Sequence, residues 1–337
     1  MPRLLVFLAL GGLLLLALVL GVGVGAVPLT PGEVLGALWA GVRGQEPNPI
    51  VWEIRLPRVL LGMLVGAALG VSGAAYQGLF RNPLADPFLM GAASGAAFGA
   101  TVALVLSGSL ASAYAHQVAT AWPQLVPLMA FVGALGAVGT ALVLAGGVAR
   151  THDLILAGVV VGSILIGLTT FLMMWDADRV RAVFAYTLGN LAFAGWDGVR
   201  QVGAYLLVAL PPLFLLGRAL NAMQLGEAVA KTLGLPLEVL KLLLIAAATL
   251  ATAAAVAQAG IIGFVGLVVP HTLRRLVGED HRYLLPASAL GGAVLLVLAD
   301  LIARTLVRPA ELPVGVVTTL LGGPFFLYLL RRQRGRA

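Results

Sequence analysis

The chain has 337 residues, 60% of them hydrophobic and only 10% charged, with 43 glycines and no cysteine. A soluble domain carries about 25% charged residues, so this composition excludes an ordinary soluble enzyme, a disordered chain and a disulfide-stapled secreted domain. The net charge of +7 points to Arg-rich cytoplasmic loops rather than nucleic acid, because no Lys-rich tail or basic–aromatic stripe is present.

Leu4–Val27 is a continuous apolar stretch, too long for the apolar region of a signal peptide, and predicts an uncleaved first helix. Residues 28–50 hold four prolines and scattered charges, which predicts an external segment with a short helix at Gly32–Val42. Val51–Phe80 reads as a long second helix interrupted early by Pro57. Further spans are predicted at 88–107, 124–148, 153–174, 199–217, 239–258, 283–303 and 313–330. Gly260–Pro270 is apolar but too short to cross alone, and reads as a half-helix or short span. The expectation is an all-α membrane protein, with residues 1–337 forming one polytopic domain. It would have about ten transmembrane helices, each of about 20 residues, and both termini in the cytoplasm.

Placing Arg3 and the Arg-rich tail 331–337 inside sorts the remaining loops. Thirteen basic and six acidic residues then fall inside, and eight of each fall outside. The whole excess lies on the inner face, as the positive-inside rule requires. Within the spans there is almost no charge. Asp300 is the nearest case, close to an outer end beside Arg304, where it reads as a helix-end ion pair. An ion-coupled secondary transporter, the alternative of another class, would place Asp, Glu or His near the bilayer centre. A purely structural membrane scaffold is a third reading. Gly62, Gly66 and Gly70 repeat at four, as do Gly91, Gly95 and Gly99, which predicts close helix packing. Gly73–Pro87 and Gly260–Arg275 share a loose pattern that hints at a duplicated half.

Gly226–Thr232 approaches a P-loop but has Ala230 where the second glycine belongs, so its amides cannot turn onto phosphates. There is no HExxH and no Cys-based metal site, and the four histidines are scattered. No catalytic, cofactor-binding or metal-ligating residue is therefore expected. The segment 218–238 is the longest polar-interrupted inner stretch. It predicts two short amphipathic helices broken at Gly226 and Gly234, with Pro236 starting the next span. Met223, Leu225, Val229 and Leu233 would give it an apolar surface, for a docking partner or for the lipid headgroups. On the outer side, Arg55, Arg58 and Arg304 stand out because positive charge is sparse there. They suit an acidic partner or outer-leaflet phosphates.

Several blocks resemble the permease family of iron-siderophore, haem and vitamin B12 ABC importers, the type II importers. They are Arg-Leu-Pro-Arg at 55–58, Gly-Ala-Ala-Leu-Gly-Val-Ser-Gly at 66–73 and Arg-Asn-Pro-Leu-Ala-Asp-Pro at 81–87. The remainder are Gly-Phe-Val-Gly-Leu-Val-Val-Pro-His at 263–271, Asp-His-Arg-Tyr-Leu-Leu-Pro at 280–286 and Glu-Leu-Pro-Val-Gly at 311–315. The resemblance implies a homodimeric permease of the bacterial inner membrane, with two ATPase subunits below and an extracytoplasmic substrate-binding protein above. ATP and Mg would be bound by the ATPases, with no cofactor in this chain. It implies that Arg55, Arg58 and Arg304 pair with glutamates of the binding protein. It also matches the family's coupling helices to Asn221–Gly234, here Asn221, Leu225, Gly226, Glu227, Ala228, Lys231, Leu233 and Gly234. The 175–197 region looks more like siderophore and haem members than the B12 type, so an iron chelate is the expected cargo and cobalamin the alternative. Arg179 and Arg181 would attract an anionic chelate at the outer mouth, or pair with Asp176 and Asp178.

Overall fold

The computed structural model describes residues 3–25, 27, 29–109, 124–148, 150–175 and 180–334, and within them every regular element is helical. The first helix, α1 (Arg3–Gly23), is followed by α2 (Pro31–Val42). Thr30 and Glu33 close a reciprocal capping box at the head of α2. A π-helical turn at Ile50–Arg55 leads straight into α3 (Leu56–Leu79). The interruption expected at Pro57 takes this form: Pro57 lacks an N–H, so it sits in the first turn of α3 and a wider turn precedes it.

Next come α4 (Ala92–Ser109), α5 (Leu125–Leu144), α6 (Thr151–Trp175) and a short α7 (Val180–Thr187) that sequence reading did not anticipate. Then follow α8 (Trp196–Leu215), α9 (Gly217–Gln224), α10 (Glu227–Thr232), α11 (Leu237–Ala259), α12 (Val265–Val277), α13 (His281–Ala303) and α14 (Val314–Arg334). Among the described residues, seven helices are long and apolar enough to cross a membrane, and α4 and α14 contribute shorter apolar stretches. With its 13 residues, α12 rises about 20 Å, short of a bilayer core of about 30 Å. It is the half-helix expected near Gly260–Pro270. The chain turns from α11 into it at Gly260, whose φ of +69° favours glycine and whose Cβ position is filled by the Tyr186 carbonyl.

α3 is the centre of the bundle. Its most apolar window is 78% buried, against 28% for α1, α5, α6 and α8, so these four form the outer wall. Leu156, Val160, Ile164, Ile166 and Phe171 of α6 are all exposed, a surface suited to lipid rather than water. α3 packs on α13 through the glycine series: a Cβ on Gly66 would overlap the Gly292 carbonyl, and one on Gly70 the Ser288 carbonyl. Gly95 and Gly133 bring α4 and α5 together in the same way. Hydrocarbon supplies no drive for apolar surfaces to associate, so this close backbone approach is what holds the helices. The two segments with the shared pattern meet each other. Gln77 donates to the Gly266 carbonyl at 3.3 Å, and Arg274 donates back to Gln77 at 3.0 Å.

Arg3 donates to the Val277 carbonyl at 3.2 Å, and its guanidinium lies 4.1 Å over the Tyr283 ring. The N-terminal end therefore sits at the α12–α13 corner. α13 runs away from that corner and α14 returns, so the start of α1 and the end of α14 share one face.

Candidate functional site

At the opposite face the three predicted arginines converge. Arg55 closes the π turn, Arg58 follows one turn later on the same side, and Arg304 ends α13. Arg55 donates to the Val22 and Gly23 carbonyls at 3.0 and 2.9 Å and also to the Val27 carbonyl. Arg304 donates to the Gly21 carbonyl at 2.5 Å. Together they satisfy the carbonyls left open where α1 ends, with positive charge at the negative end of the helix dipole. Arg58 donates from Nε to both Asp300 oxygens at 3.1 Å, from Nη2 to Asp300 Oδ1 at 2.8 Å and from Nη1 to Glu311 at 2.9 Å. Asp300 is thus paired as expected with Arg304, at 3.6 Å, but its closer partner is Arg58.

All three arginines are buried, at 5%, 8% and 7% exposure for Arg55, Arg58 and Arg304. Against these three guanidiniums stand the buried carboxylate of Asp300, paired with Arg58 and Arg304, and the half-exposed Glu311, paired with Arg58, so the niche keeps a positive excess. Arg304 Nε is buried without a hydrogen-bond partner. A cavity of about 540 Å³ opens beside them, lined also by Ile54, Pro309 and the exposed Arg308. Arg308 was legible in the sequence only as one outer charge among eight, because nothing in its spacing ties it to Arg55.

At the inner face the predicted segment folds as two short helices, α9 and α10, separated by Leu225 and Gly226. Gly226 has a φ of +110° and leads directly into α10, a backbone that favours glycine. Leu225, Val229 and Leu233 are exposed, together with Ala228, Lys231 and Gly234. Met223 corrects the expected patch: it is 2% exposed and faces the core with Leu220 and Ala230. Asn221 also points inward. Its amide donates to Asp280 Oδ1 at 2.7 Å, and its carbonyl oxygen accepts from the His281 backbone N–H at 2.8 Å. Gln224 donates to the Gly78 carbonyl at 2.6 Å. Arg282, and with it the Asn221 amide, holds the Asp280 carboxyl well below the usual carboxylate range. Glu227, at the head of α10, pairs with Lys241 at 2.8 Å.

Arg179, Asp176 and Asp178 lie outside the described residues. Arg181 is exposed in the first turn of α7.

The FecCD transport family matches residues 13–332 of this chain. The chain belongs to the FecCD transport family. It is 41% identical to the hemin transport system permease of Yersinia pestis, over 97% of this chain and 96% of that one. It is 43% identical to a cobalamin import system permease of Halobacterium salinarum, over 86% of this chain and 75% of that one. A solved inward-facing structure of a metal-chelate type ABC transporter superposes with a TM-score of 0.82 at 29% identity, covering 97% of this chain and 99% of that one. As a member of this family the chain is a multi-pass membrane permease subunit of an ABC importer.

Proposed function

We propose that the chain forms the translocation path for an iron chelate, haem in the first place, in an importer of two permease copies, two ATPase subunits and a substrate-binding protein. The observation that carries this is the whole-length similarity to a hemin permease, joined to a bundle with a positive niche on one face and an exposed apolar step on the other. ATP and Mg belong to the partner ATPases, and this chain performs no catalysis. Residues 1–337 act as one polytopic domain. Cobalamin is the second reading, favoured by 43% identity to a cobalamin permease. Leu225, Ala228, Lys231, Leu233 and Gly234 present the surface that meets the ATPase, with Asn221, Gly226 and Glu227 setting its shape. Arg179 and Arg181 attract the anionic chelate at the outer mouth.

The decisive measurement is uptake into vesicles holding the assembled complex. ATP-dependent accumulation of haem is expected, with cobalamin a weaker competitor. Stronger cobalamin transport would reverse the cargo assignment. Uptake by this chain alone, driven by an ion gradient, would overturn the importer reading.

On the outer face, acidic side chains of the binding protein enter the niche of Arg55, Arg58 and Arg304. The buried pairs make those residues poor sites for a docking test, since changing them breaks the fold first. Arg308 is exposed at the rim and, among the described residues, pairs with no buried carboxylate, so Arg308→Glu isolates the surface charge. It is expected to weaken binding-protein association about three- to tenfold at low salt, with the gap closing as salt rises. Equal affinity for wild type and variant at all salt concentrations would remove the docking role.

A further inference from the structure

Lys241 reads in the sequence as one more inner positive charge, at the start of a span. The structure places it elsewhere. It lies within α11, 3% exposed, with its ammonium 2.8 Å from Glu227 and 3.4 Å from the Val148 carbonyl. A buried ammonium is costly to desolvate, and shallow lysines at the membrane surface normally extend to water instead. This one turns inward and joins three separate pieces of chain: the head of α10, the inner turn of α11, and the corner between α5 and α6 that contains Val148.

The rest of the inner segment is tied to different helices. Asn221 and Gln224 hold α9 to the α12–α13 corner and to the end of α3. Beyond Gly226 the connection changes. Among the described residues, Glu227–Lys241 is the ion pair that joins α10 to a spanning helix. The only other polar side-chain bond described within α10 runs from Thr232 to its own Val229 carbonyl. Gly226, with a φ of +110° and open space around its Cβ position, is the junction at which the two arms meet. The segment therefore has two arms with separate attachments, one on α3 and α13 and the other on α11 and the α5–α6 corner.

We propose that Lys241 is a positioning residue for energy coupling: through Glu227 it passes a displacement of α10 to α11 and to the α5–α6 corner. This rests on the reading of α9 and α10 as the surface that meets the ATPase. Lys241 touches neither ATP nor cargo. Its role is to make α10 and α11 move as one body, so that a push from below shifts one spanning helix rather than bending a loop.

The test uses the complete complex in vesicles, recording ATPase co-purification and the ATP hydrolysed per haem transported. Lys241→Met keeps the volume and removes the charge. It is expected to leave the ATPase bound and to raise the ATP used per haem about tenfold, within the range by which single residues alter coupling between sites. The charge swap, Lys241→Glu with Glu227→Lys, remakes the ion pair but leaves the Val148 carbonyl without its donor, so it is expected to recover part of that loss. A lysine that only supported assembly would change ATPase co-purification and not the ratio. An unchanged ratio in Lys241→Met overturns the proposal. So does a raised ratio that the swap leaves untouched. If Lys241→Met does not assemble, Glu227→Gln reports the same ratio with the lysine in place, and a wild-type value there overturns the proposal as well. Failure of the underlying reading looks different: Leu225→Asp with Leu233→Asp would then leave ATPase co-purification intact.

Discussion

Arg58→Met is expected to destabilise the protein by about 3–5 kcal/mol, the range for removing one partner of a buried ion pair. Arg58 supplies three of the hydrogen bonds that hold Asp300. Without it the partner left to Asp300 among the described residues is Arg304, at 3.6 Å and outside hydrogen-bond reach. Glu311 is 42% exposed at its side chain and returns to water at little cost. The loss therefore comes mainly from one stranded carboxylate, and neutralising that carboxylate should reverse part of it. Arg58→Met with Asp300→Asn is expected to regain part of the stability, because it removes the stranded charge while Arg304, which loses its ion-pair partner, keeps its bond to the Gly21 carbonyl. Denaturant unfolding in detergent micelles checks both. If the double variant is no more stable than Arg58→Met, the stranded charge is not the cause.

Gly66→Leu should be more damaging still. The space a side chain would need is occupied by the Gly292 carbonyl and the Ala293 backbone, and backbone atoms cannot step aside as a flexible side chain can. Overpacking costs about 1–3 kcal/mol where side chains can shift, and here the α3–α13 contact itself must open. Little folded, monodisperse protein is expected on size exclusion. Gly136→Leu is the matched control: it lies on the outer wall with open space around its Cβ position and should accumulate normally. Equal folded yields for the two variants would show that the glycine series does not hold the bundle.

The two sites were legible to different depths. Arg55 and Arg58 stand three residues apart at the mouth of a span, a local pattern that marks them without any structure. Their inward orientation was not legible, because the carbonyls Arg55 caps and the carboxylate Arg58 binds belong to α1 and α13. Asp300 and Arg304 are four apart on one helix, so their pairing could be read. The partner that dominates Asp300 is 242 residues away and could not. The inner segment showed its breaks at Gly226 and Gly234 directly. Its exposed face was misjudged at Met223, since a helix of eight residues gives too few turns to fix which side meets the core.

Hydropathy and charge alone determined the solvent, the order of spans and the sidedness. Each of these is a property of one segment against bilayer or water, summed over about 20 residues, and needs no partner segment. Even the glycines at intervals of four announced that some helix would approach closely. Which helix meets which was decided only in three dimensions, because in hydrocarbon every apolar face is equally acceptable and the choice falls to backbone fit and to a few buried charges. Lys241 is the clearest case. Its sequence neighbours place it at the inner end of a span, and only the fold turns it away from water towards Glu227 and Val148.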